Sequence, residues 1–121
     1  MNKRRIERMI PKAMAYIDEN FAKNATVPKV YQGYLASFGP TVISSGLLMA
    51  VAFNSDKKKK ENLKVMELMY HLVKEECGAN EASLLEYLEA DDNHRKYSVK
   101  HLVLDANIAA KLAIRTFTLK D

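Results

Sequence analysis

The sequence predicts an all-α protein, a compact single-domain bundle of five or six helices. Three observations carry that prediction. Apolar residues recur at the i, i+3, i+4, i+7 spacing of a helix face in several long segments. Four glycines and three prolines in 121 residues are few for a β fold with its many turns. No alternation of apolar and polar residues persists anywhere. A chain of this length buries roughly two-thirds of its unfolded surface in one core.

The first helix is expected over about Lys3 to Ala22, with Ile6, Met9, Ile10, Ala13, Ile17 and Phe21 on one face. Arg4, Arg8 and Lys12 step by four along the opposite face, with Arg5 beside them. Pro11 costs about 3 kcal/mol in a helix interior. It therefore predicts a kink, or a helix that begins near Ile10 behind a basic arm. Asn24 to Pro28 reads as a loop, followed by a short helix to Phe38.

The stretch Gly33 to Ser55 is the organising segment. Gly39-Pro40 predicts a break, because proline suits the first turn of a helix, and a new helix from Pro40 to Phe53. Val42, Ile43, Leu47, Leu48, Met49, Val51 and Phe53 point all round its axis, the pattern of a helix covered on most sides. Gly46, with Ser44 and Ser45, predicts close approach of neighbouring helices. The apolar run falls short of the ~20 residues that cross a bilayer.

Lys57 to Lys60 follow, with Asp56 or Ser55 as a cap for the next helix. Lysines in a first turn oppose the helix dipole, which predicts a mobile loop or an anionic partner. The fourth helix, Glu61 to Cys77, turns Leu63, Met66, Met69, Tyr70 and Val73 inward and stops at Gly78. Asn80 is expected to cap a short acidic helix anchored by Leu84, Leu85 and Leu88, and Asp91-Asp92-Asn93 is the last break. The final helix, His94 to Thr118, has two apolar faces. Val99, Leu102, Val103, Ala106, Ala110, Ala113 and Phe117 form one; Tyr97, Leu104, Ile108 and Leu112 form the other. Between them run Lys96, Lys100, Asn107, Lys111 and Arg115. The second face is either internal core or an assembly surface.

The net charge is +4, and it is unevenly spread. Seven acidic residues and no basic one lie between Glu75 and Asp92. That block reads as solvated surface. Three basic clusters, Arg4/Arg5/Arg8/Lys12, Lys57/Lys58/Lys59/Lys60 and Lys100/Lys111/Arg115, suit sequence-independent contact with nucleic-acid phosphates. The single cysteine, Cys77, and the absence of an apolar segment behind Met1-Asn-Lys-Arg-Arg predict a cytoplasmic protein without a signal peptide.

Gly46-Leu47, four residues, then Ala52-Phe53, behind a Gly-Pro break, resembles the central signature of one family. This is the small all-helical subunit of the type III-B CRISPR effector, the Cmr complex. The basic opening helix, Val27-Pro28 and Tyr31-x-Gly33-Tyr34 agree with it, and Leu112 to Phe117 resembles its C-terminal helix end more loosely. The resemblance implies a non-catalytic subunit in antiviral defence. Its implied partners are the backbone and large subunits of the complex, copies of itself, guide RNA and target RNA. No membrane and no cofactor are implied.

The residues themselves argue against an enzyme. His101 and Asp105 stand at i, i+4, a spacing that can chelate a metal, but no third ligand is set by local sequence. Ser44-Ser45-Gly46 lacks the strand–turn–helix setting of a nucleophile elbow. The alternatives are a protein–protein adaptor with no nucleic-acid contact and, behind it, a metal-dependent nuclease built on His101 and Asp105.

Overall fold

The computed structural model describes residues 1–121. Six α-helices carry the chain: α1 Lys3–Asn20, α2 Val30–Ser45, α3 Leu47–Asn54, α4 Lys60–Cys77, α5 Leu84–Glu89 and α6 Tyr97–Ile114. A 3-10 turn, Ala90–Arg95, joins α5 to α6. Two three-residue strands, β1 Thr26–Pro28 and β2 Thr118–Lys120, complete the fold. Thirty buried apolar residues form one connected core.

The hub is α6, which packs against α1, α2 and α4. It buries ten residues, among them Ala106, Ala109, Ala110 and Ala113. Small side chains there let neighbouring helices approach closely, and the predicted hub, the stretch after Pro40, is more peripheral. α1 buries Ile6, Met9, Ala13 and Ile17 as its periodicity requires. It continues unbroken past Pro11, so no basic arm precedes the helix. The proline faces solvent, so the carbonyl it leaves without an intrahelical donor is on the wet side. Asn2 caps the helix, its Oδ1 accepting from the Arg5 N–H at 3.1 Å.

The expected break at Gly39-Pro40 is absent. α2 continues through exposed Pro40 to Ser45, and the chain turns instead at Gly46, at φ 90° and ψ 156°. Only glycine adopts that conformation readily. The turn swings α3 so that Leu47, Ala50 and Val51 are buried. Ile43, Met49 and Phe53 are exposed, so this segment is not covered all round. Close approach occurs about two turns earlier than expected, at Gly39 rather than Gly46. A Cβ on Gly39 would stand 2.9 Å from Asn107 Oδ1, whereas one on Gly46 would meet nothing within 4 Å.

α4 is wider in its burial than its first periodicity suggests, with Val65, Leu68 and Leu72 covered as well as Met66, Met69, Tyr70 and Val73. It ends at Gly78 in the left-handed conformation, φ 68°. Its N-cap is Lys59, with no side-chain cap; Asp56 Oδ1 accepts from the Lys58 N–H in the turn before it. Ser83 rather than Asn80 caps α5, accepting from the Glu86 N–H. Asp91 and Asp92 sit at φ 51° and 52°, the break expected there. Asn93 braces it, donating to Tyr87 O and accepting from Lys96 Nζ.

α6 stops at Ile114, short of Thr118. The tail returns as β2 alongside β1 in parallel register, Thr26 opposite Thr118 and Pro28 opposite Lys120. The Lys29 N–H donates to Lys120 O at 2.8 Å. A three-residue pairing is too short for alternation to reveal it.

Candidate functional site

The basic stripe of α1 lies against carboxylates of its own chain. Arg5 reaches Asp105 on α6 with Nε at 3.0 Å and Nη2 at 2.6 Å, both on Oδ2. The Asn2 N–H donates to the same oxygen at 3.2 Å. The Asp105 side chain is only 2% exposed. Arg8 grips Glu76 with two bonds, Nη2–Oε1 at 2.8 Å and Nε–Oε2 at 3.3 Å. Lys12 Nζ lies 2.9 Å from Glu75 Oε2. The start of the acidic block is therefore a clasp for α1, not merely solvated surface. Hydrogen bonds from Lys12 and Arg8 hold the Glu75 and Glu76 carboxyls below the ordinary range, and the bond to Glu76 holds the Arg8 guanidinium above its own. Of the four predicted α1 cations, Arg4 alone is exposed and without an ion pair.

The other two clusters make no ion pair within the chain. Lys57, Lys58 and Lys59 lie in the turn before α4 and Lys60 opens the helix, all four exposed. Lys59 Nζ sits 3.7 Å from the centroid of the Phe53 ring. On α6, Lys100 and Lys111 are half-buried and Arg115 is exposed at the C-cap. Those three share the outward face of α6 with the predicted apolar strip. Tyr97 is 78% and Leu112 42% exposed, while Leu104 and Ile108 are half-buried against the core. The Tyr97 ring lies against His101, centroids 4.1 Å apart.

Two residues assigned to other roles by spacing belong to the core. Asp105 is bonded to Arg5 and Asn2 rather than paired with His101. Asn107, expected on the polar stripe of α6, is 1% exposed and donates to Leu35 O at 3.0 Å. Glu75 and Glu76 were missed as partners of α1. The signal for them was present: two carboxylates at the end of one helix match cations four apart on another. A cavity of about 600 Å³ lies between α4 and α5, lined by Tyr16, Lys57, Met66, Tyr70, His71 and Leu84 among others.

Fold and surface together describe a small helical module with unpaired cations and exposed apolar side chains on its surface. A family model described as CRISPR-associated protein (Cas_Cmr5) matches residues 2–112, and the chain belongs to that family. It is thus a CRISPR-associated subunit of the Cmr type. The match extends through α4, α5 and most of α6, well past the segment that carries the sequence resemblance. No curated protein and no solved structure matches the chain. No helix is long and apolar enough to cross a membrane.

Proposed function

We propose that the chain is a non-catalytic small subunit of an RNA-guided type III-B effector in antiviral defence, working in the cytoplasm without a cofactor. It scaffolds the assembly and touches the backbone of guide or target RNA. The observation that carries the RNA contact is the outward face of α6. Lys100, Lys111 and Arg115 lie there without internal carboxylate partners, interleaved with exposed Tyr97, whose ring lies against half-buried His101. Phosphates need only positive charge on a firm surface, and exposed rings offer faces to bases. Arg4 adds a further free cation on α1. The non-catalytic reading is supported by the state of Asp105, whose Oδ2 already accepts three hydrogen bonds from Arg5 and Asn2.

The complex reconstituted on guide RNA bearing photo-crosslinkable nucleotides tests this reading. Peptides from α6 should carry the crosslink. If the chain is present at full stoichiometry and no nucleotide position crosslinks to it, the adaptor reading stands instead. In that reading Tyr97, Leu104, Ile108 and Leu112 dock a like or partner subunit and RNA is not touched.

A further inference from the structure

We propose that the elbow between α2 and α3 docks on another protein subunit, at a face whose apolar pocket is rimmed by carboxylates. The inference rests on membership of a multi-subunit assembly and not on the RNA contact. Its first support is exposure. Ile43, Met49 and Phe53 are 70%, 67% and 62% exposed, three large apolar side chains within eleven residues around one turn. Scattered apolar residues on a surface are ordinary; three this exposed around one turn of the chain, two of them one turn apart on α3, are the exposure that marks an interaction site. The turn produces it. Gly46 at φ 90° sends Leu47, Ala50 and Val51 into the core and leaves Met49, Ala52 and Phe53 outward, Met49 and Phe53 one turn apart.

Chemistry decides the kind of occupant. Ile43 and Met49 have no π face, so two of the three side chains cannot stack on a base as an aromatic ring does, whereas protein interfaces favour methionine and aromatic residues at their centre. Charge fixes the rim. From Asp56 to Glu61 four lysines face two carboxylates. One of those, Asp56, already accepts from the Lys58 N–H, and no lysine of the run makes an ion pair. Lys59 lies on the Phe53 ring itself, so the cations border the apolar patch directly. A partner that buries Phe53 must place acidic side chains within reach of Lys57 to Lys60, where opposite charge speeds encounter and fixes register.

The test is co-expression with the other subunits and guide RNA, purification through a tag on a different subunit, and measurement of how much of this chain is retained. Met49→Glu with Phe53→Glu should lower retention at least tenfold. Replacing Lys57 to Lys60 by Glu should lower it comparably, while thermal unfolding of each free variant matches the parent. The lysine variant alters only exposed positions and keeps the test decisive should the apolar one misfold. Full retention of both variants overturns the proposal. So does retention accompanied by loss of RNA binding, which would make the elbow a strand platform. A parent chain that is not retained would overturn the subunit reading and the proposal with it.

Discussion

Asp105 shows how much one buried carboxylate can organise. It accepts from Arg5 and from the Asn2 N–H, so the mouth of α1 is tied to the middle of α6 across about a hundred residues of sequence. Removing one partner of a covered ion pair leaves the other uncompensated. Asp105→Ala should therefore cost about 3 kcal/mol, measured by denaturant unfolding; a loss below about 0.5 kcal/mol would place the pair among surface bridges of little worth. The two special glycines differ in kind. Gly39→Ala would drive a methyl to 2.9 Å from Asn107 Oδ1, whose amide is committed to Leu35 O, at a cost of about 1–3 kcal/mol from overpacking. Gly46→Leu has open space, so the expected overpacking there is replaced by backbone strain at φ 90°, again about 1–3 kcal/mol. Comparison with Gly46→Ala separates the causes, because strain is nearly independent of side-chain size and overpacking is not. Sequence marked Gly46 as special, but the reason lay in a dihedral angle that composition does not encode.

At the scale of elements, the α1–α4 clasp joins a basic face to the acid-rich end of another helix. Glu75 and Glu76 have folded-state pKa values below the ordinary 4.5 because Lys12 and Arg8 bond to their charged forms. Depressed values mean that the clasp contributes at neutral pH. Its contribution fades as pH falls through the ordinary carboxylate range into the depressed one. Both pairs are partly exposed and screened, so the effect on overall stability is small. Carboxyl NMR titration reads it directly. Arg8→Ala should raise the Glu76 titration toward its ordinary range and leave Glu75 nearly unchanged; no movement at Glu76 would mean the pair does not persist in solution. The periodic faces of α1, α4 and α6 were legible because long amphipathic helices carry redundant information. Neither proline ends its helix. Pro11 and Pro40 both sit on solvent sides, where water replaces the lost donor. The strand pair β1–β2 left no trace, since three-residue pairing across the whole chain has no local signature.

For the whole molecule, the clasp divides the positive charge into cations already engaged and cations still free. The sequence placed Arg4, Arg5, Arg8 and Lys12 in one stripe, since helical geometry shows which residues share a face but not what that face packs against. Three of the four are held by Asp105, Glu76 and Glu75. RNA that recruited them would have to displace a carboxylate for each phosphate gained, which cancels much of the attraction. Arg4, Lys100, Lys111 and Arg115 carry no such handicap. Each phosphate contact removed lowers the slope of log affinity against log salt by about 0.7 for a single strand. Neutralising those four in the assembled complex should therefore make the slope shallower by up to about 2.8 and weaken all RNA sequences alike. Neutralising Arg8 and Lys12 should leave the slope nearly unchanged and show its effect in the acid sensitivity of the fold. Binding measured over a range of salt distinguishes the two sets, provided each variant enters the complex at parent stoichiometry. A shallower slope from the Arg8/Lys12 variant, with none from the other, would mean that the clasp opens on assembly and that the stripe faces the RNA after all.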